Sequence, residues 1–181
     1  MTFFEHKNLS KKMSKENGFT MVELLVVVAI IAILLGVVLV NFDPFSWGQK
    51  SRDATRIQNL EDTYRAIELG LETGELTLSP TAGENGDPCA DCTSIVGTLA
   101  VDGTGWIKFS IPIGKTGLAK YLPALFVDPV NSLPYVYTYA ATATDYEINA
   151  VLESPDNAAR MSTDGGNAQG VLEIGSSLTV L

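Results

Sequence analysis

Residues 24–40 carry no charge and no strongly polar side chain, and Glu23 is the one acid at the head of this apolar run. From Phe19 to Phe42 the run holds 24 residues, which as a helix rising about 1.5 Å per residue extends roughly 36 Å, enough to cross a bilayer. An ionised carboxylate at membrane depth costs on the order of 2.5–3.5 kcal/mol, so Glu23 requires a cationic partner. That requirement constrains the chain more than any other feature.

The surroundings of the run fix its direction. Residues 1–18 carry Lys7, Lys11, Lys12 and Lys15 against Glu5 and Glu16, a net +2, whereas residues 19–181 hold 8 basic and 19 acidic groups, a net −11. Lysines just before the run predict a cytoplasmic N-terminus and an exported C-terminal portion. An acidic exported portion argues against nucleic-acid binding through bulk charge, because phosphate contacts need clustered Lys and Arg. At 181 residues the chain suits one membrane segment and one domain with its own core.

Gly18-Phe19-Thr20-Met21-Val22-Glu23 behind a short basic leader, followed by the Val/Ile/Leu/Ala run, resembles the N-terminus of type IV pilins and of type II secretion pseudopilins. The resemblance implies a leader over residues 1–18, cut between Gly18 and Phe19 by a prepilin peptidase, with N-methylation of Phe19. It further implies a filament-core helix over 19–42, an amphipathic helix half over 43–77 and an exported globular portion over 78–181. The implied fold is α+β, a long N-terminal helix packed on a small antiparallel sheet. The freed Phe19 amine would supply the missing cation: in the family the carboxylate equivalent to Glu23 reaches the amine of a neighbouring subunit and sets axial register. A copy in the wrong register leaves a charge unpaired, disfavoured by several kcal/mol.

The implied partners are further copies of the chain, the peptidase, an inner-membrane assembly platform and minor pilins. The expected location is a single-pass membrane precursor that becomes a surface pilus or an envelope-spanning pseudopilus. A pilus filament serving adhesion, motility or DNA uptake is the leading expectation. A secretion pseudopilin is the alternative, then a minor or tip adhesin, and last a membrane-anchored domain that never polymerises.

Gly36 marks a place for close helix packing or for local melting. Pro44 predicts a break after the apolar run, with Ser46 as a cap for the restarted helix. Ile57, Leu60, Tyr64, Ile67 and Leu71 form one apolar stripe, with Asp53 and Arg56 elsewhere on the wheel, and Gly70 and Gly74 mark the helix end. Residues 78–105 read as a long loop holding Cys89 and Cys92, the only cysteines. A C-x-x-C pair can be a redox dithiol, but a disulfide in an oxidising exterior is the favoured reading, with intermolecular bonding and free thiols as the alternatives. A zinc site lacks further ligands, because the sole histidine is His6 in the leader.

Period-two patterns predict an edge-like strand from Trp106 to Ile113, a hairpin of Tyr135–Tyr139 with Tyr146–Leu152, and a last strand from residues 171–174 and 177–181. Alternating Tyr135, Tyr137 and Tyr139 suit cross-strand packing better than a carbohydrate surface. Asp128-Pro129-Val130-Asn131-Ser132-Leu133-Pro134-Tyr135 resembles the Asp-Pro-x-x-x-x-Pro-Tyr turn of major pseudopilins and Gram-positive-type pilins. Some major pseudopilins bind calcium after this hairpin, which singles out Ser162, Asp164 and Asn167 as hard-oxygen candidates, with an ordinary turn as the alternative. No cofactor is otherwise expected. The chain has no Gly-rich phosphate loop and no Ser/His/Asp set, so an enzyme is not expected.

Overall fold

The computed structural model describes residues 18–41, 43–81 and 88–181. The expected leader, apart from Gly18, lies outside the described residues, as do Phe42 and residues 82–87 of the expected loop. The chain divides into two units, Met1–Asp43 and Pro44–Leu181. The architecture is α+β: an apolar helix, a second helix and small antiparallel sheets.

In the first unit, α1 runs unbroken over Met21–Asn41, through Gly36. Its side chains as far as Val38 are all exposed among the described residues.

In the second unit, α2 spans Pro44–Glu72. It begins at Pro44 and not at a Ser46 cap: at the first helical position a proline loses no hydrogen bond, and its fixed φ suits the helix. The C-terminus is a Schellman turn. Glu75 N–H donates to Gly70 O (2.8 Å) and Gly74 N–H to Leu71 O (3.1 Å), with Gly74 at φ +63°. Gly70 therefore lies inside the helix, where Leu76 packs against its bare Cα.

The apolar stripe is buried as expected at Leu60 and Ile67, with Ile57, Tyr64 and Leu71 half-buried beside it. The buried face extends further, through Asp53, Arg56 and Thr63. Those positions continue the same three-and-four spacing, and burial of Asp53 and Arg56 corrects their expected place on the solvent side.

Two sheets follow. β1 (Thr77–Leu78) pairs antiparallel with β2 (Phe109–Ser110). The strand expected over residues 106–113 shrinks to these two positions. Trp106 and Ile107 are both buried, contrary to alternation, because the indole is drawn into the core, where its N–H donates to Phe126 O (3.0 Å); Ile113 is fully exposed. The second sheet has order β3-β4-β5, from Tyr137–Ala141, Tyr146–Ala150 and Leu172–Gly175. Residues 177–181 are not a strand.

The β3–β4 hairpin closes through Thr142 N–H to Asp145 O (2.7 Å). The inner face of this sheet, with Tyr137, Tyr139, Tyr146, Ile148 and Leu172, joins Leu60 and Ile67 of α2 in one core. Asn59 donates to the Tyr137 hydroxyl (3.0 Å), and the Tyr146 hydroxyl donates to Glu68 (2.7 Å). The buried tyrosines thus pack across strands and form no stacking surface. The outer face is covered at Glu147, which accepts the Val180 and Leu181 N–H groups (2.8 and 3.0 Å), and every residue of β4 is buried.

Candidate functional site

The start of α1 is organised by a reciprocal cap. Thr20 precedes the first helical turn; its hydroxyl accepts Glu23 N–H (3.2 Å), and Glu23 Oε2 accepts Thr20 N–H (2.9 Å) and the Thr20 hydroxyl (2.9 Å). This is a capping box, with acceptors satisfying helix-start donors and a carboxylate at the positive end of the helix dipole. The sequence reading missed it, although Thr-x-x-Glu ahead of an apolar run is its signature. In the uncleaved chain, then, Glu23 is held locally.

Gly18 and Phe19 lie just outside that cap, Phe19 being 85% exposed. A Cβ built on Gly18 meets nothing within 4 Å, so packing places no demand for glycine there. Among the described residues, Gly18, Phe19 and Glu23 sit together at one exposed helix start. Window Met21–Val38 is long and apolar enough to cross a membrane and has none of its residues buried.

The second unit is braced by a charge network the sequence did not reveal. Arg56 is fully buried and pairs with Asp53 (2.9 Å), Asp128 (2.5 Å) and Glu153 (2.6 Å), while its guanidinium lies 4.9 Å from the Tyr135 ring centre. Burial pulls the guanidinium pKa down, but hydrogen bonds to Asp128 and Glu153 outweigh burial and hold it above the ordinary arginine value. Arg52 also grips Glu153. Asp128 accepts Val130 and Asn131 N–H (2.8 and 3.2 Å), and Asp53 accepts Glu153 and Ser154 N–H (2.8 Å each). One arginine of α2 therefore ties down both ends of the Asp128–Tyr135 turn and the chain leaving β4. The Leu133–Pro134 peptide in that turn is cis.

Cys89 and Cys92 are joined by a disulfide, and Cys92 O accepts Tyr139 N–H (2.9 Å), fixing the loop to β3. Asp91 between them pairs with Lys108 (2.7 Å), so this cluster's donors are already engaged.

The calcium candidates each hold a hydrogen-bond partner in or beside their own turn. The Ser162 hydroxyl donates to Ala159 O (3.0 Å); Asp164 accepts Gly166 N–H (3.1 Å) and Glu173 N–H (2.9 Å); the Asn167 amide donates to Leu181 O (3.2 Å). Each shapes the turn itself. The carboxylates that do meet are Glu147 and Glu173, both buried on the outer sheet face. Burial, together with Glu147, pushes the Glu173 pKa above its ordinary value.

A family model described as the prokaryotic N-terminal methylation motif matches residues 13–39. No curated protein and no solved structure matches the chain. The matched family is a structural, pilin-type one and not a class of enzymes. The match spans 27 of 181 residues and takes in Gly18, Phe19, Thr20, Glu23 and nearly all of α1. This chain therefore carries the prepilin-type signal of type IV pilins and pseudopilins at its N-terminus.

Proposed function

We propose that the chain is a structural filament subunit. It is cut between Gly18 and Phe19 by a prepilin peptidase, methylated on the new Phe19 amine, held in the membrane by α1 with its N-terminus in the cytoplasm, and polymerised through α1. Further copies, an assembly platform and minor pilins are its partners, and no cofactor takes part. The observation that carries this reading is an apolar helix exposed from Met21 to Val38 among the described residues, headed by a single carboxylate already locked at the N-cap. Such a helix needs either lipid or its own kind. Cleavage adds a cation on the residue just before the cap, and in a water-poor bundle that cation on the next subunit is the partner Glu23 needs.

A secretion pseudopilin is the second reading: the Asp128–Tyr135 turn, whose Asp128 and Tyr135 both meet Arg56, is compatible with it and with a pilus subunit alike.

Glu23→Val tests the polymer role. The variant remains inserted and cleaved, while losing one ion pair worth at least about 1.4 kcal/mol lowers subunit association roughly tenfold or more. Sedimentable polymer is measured after co-expression with the peptidase. Undiminished polymer from cleaved Glu23→Val contradicts the proposal.

A further inference from the structure

The second unit hides its aromatic residues with two exceptions, which are neighbours. Between Pro44 and Leu181 every other aromatic side chain is buried or half-buried, whereas Phe45 is 83% and Trp47 64% exposed. Both lie in the first turn of α2, four and six residues beyond the last residue of α1. Lys50 follows one turn later, and Trp47, Lys50 and Ser51 line a shallow hollow.

Their angular placement decides what they can meet. At about 100° per residue, positions 45 and 47 stand roughly 200° apart, on nearly opposite sides of α2. A partner protein lying in one groove takes one helix face and would leave the other ring in water. A lipid interface surrounds the helix and takes both. Aromatic rings next to a membrane span settle at headgroup level, where an apolar body and a polar rim are both accommodated. The span length agrees: 21 residues of α1 rise about 31 Å, close to the hydrocarbon thickness of roughly 30 Å, so the rings follow where that layer ends. Lys50 pairs with Asp156 at 2.7 Å, but both partners are more than half exposed, and such surface pairs contribute little, so the ammonium can turn to a lipid phosphate at small cost.

We propose that Phe45, Trp47 and Lys50 form an anchor that seats the exported end of the span in the phospholipid headgroup layer and so fixes the depth at which the precursor waits before assembly. The proposal rests on the membrane-anchored reading of α1.

The chain has two tryptophans, and Trp106 is fully buried, so Trp47 reports on this site through the difference between wild type and Trp47→Phe. The full-length chain is reconstituted at low protein-to-lipid ratio in phosphatidylcholine–phosphatidylglycerol vesicles that contain lipids brominated either near the ester or near the methyl end. Insertion is scored separately, on the same vesicles, by flotation and resistance to carbonate. The Trp47-dependent emission is quenched about twofold more by the ester-end bromines than by the methyl-end bromines, and is shielded from aqueous iodide, as a ring at headgroup level requires. Emission from an inserted chain that is open to iodide and indifferent to both bromolipids overturns the anchor alone, as does stronger quenching from the methyl end. Shielding from iodide that grows with protein-to-lipid ratio without bromolipid quenching puts a second copy over Trp47 and also overturns it. A chain that never inserts overturns the membrane-anchored reading together with the anchor.

Discussion

Replacing Arg56 by leucine tests the network that holds the second unit together. The guanidinium is fully buried and meets three carboxylates within 3 Å, two of them, Asp53 and Asp128, also fully buried. Arg52 and Arg56 place two positive charges against Asp53, Asp128 and Glu153, so the cluster already carries one excess negative charge. Leucine leaves the acids in place with Arg52, which reaches only Glu153. Breaking a buried pair from one side costs about 3–5 kcal/mol, a large share of the roughly 5–15 kcal/mol that stabilises a domain. For a unit of this size each kcal/mol moves the midpoint by roughly 3–5 °C, so Arg56→Leu lowers it by about 10–20 °C. Thermal unfolding of the full chain in detergent, followed by near-ultraviolet circular dichroism, reads the packing around Trp106 and the tyrosines. Arg52→Leu is the control: its side chain is 39% exposed and Arg56 still holds Glu153, so its loss costs no more than about 1 kcal/mol. An Arg56→Leu midpoint within a few degrees of wild type, or equal losses from the two variants, refutes the reasoning.

Other expectations follow from single residues. Gly18→Leu leaves α1 helicity and insertion unchanged, since a side chain there meets nothing, but blocks release of the leader; the check is the mobility of the chain after co-expression with the peptidase. The hydrogen bond from Arg52 holds the Glu153 carboxyl below its ordinary value, and the Thr116 N–H and Lys120 do the same for Glu75. A depressed folded pKa contributes stability above the unfolded value of about 4.3 and loses it as pH falls through the folded value, so unfolding midpoints drop on acidification below about pH 5, and less steeply in Glu153→Gln. Cys89→Ser opens a ring of four residues, which the chain-entropy relation values at about 2 kcal/mol; chemical denaturation of the variant and of reduced wild type reads the same modest loss.

The features written in local spacing were legible in the sequence. The apolar run, the stripe through Leu60 and Ile67, the Tyr137–Ala150 hairpin and the Gly74 terminus all rest on neighbours in the chain. What was missed depends on distant pairing. Arg56 looks like a solvent residue until Asp128, 72 residues away, and Glu153, nearly a hundred away, arrive to neutralise it. Glu147 looks like the wet side of a strand until Val180 and Leu181 close over it. Trp106 breaks its strand pattern because a core centred on Tyr137, 6.0 Å from it ring to ring, accepts the larger ring. At the candidate site the identities of Gly18, Phe19 and Glu23 were readable, whereas the Thr20 cap depends on where the helix starts, which the apolar run from Phe19 does not mark.

The central claim is that cleavage exposes a Phe19 amine which pairs with Glu23 of another copy. Intact-mass and N-terminal analysis of filaments sheared from cells, with electron microscopy of the same fraction, addresses it most directly. The account predicts polymers whose subunits begin at methylated Phe19. Subunits that retain Met1, or that begin at Phe19 but occur only as single chains in the membrane, contradict it.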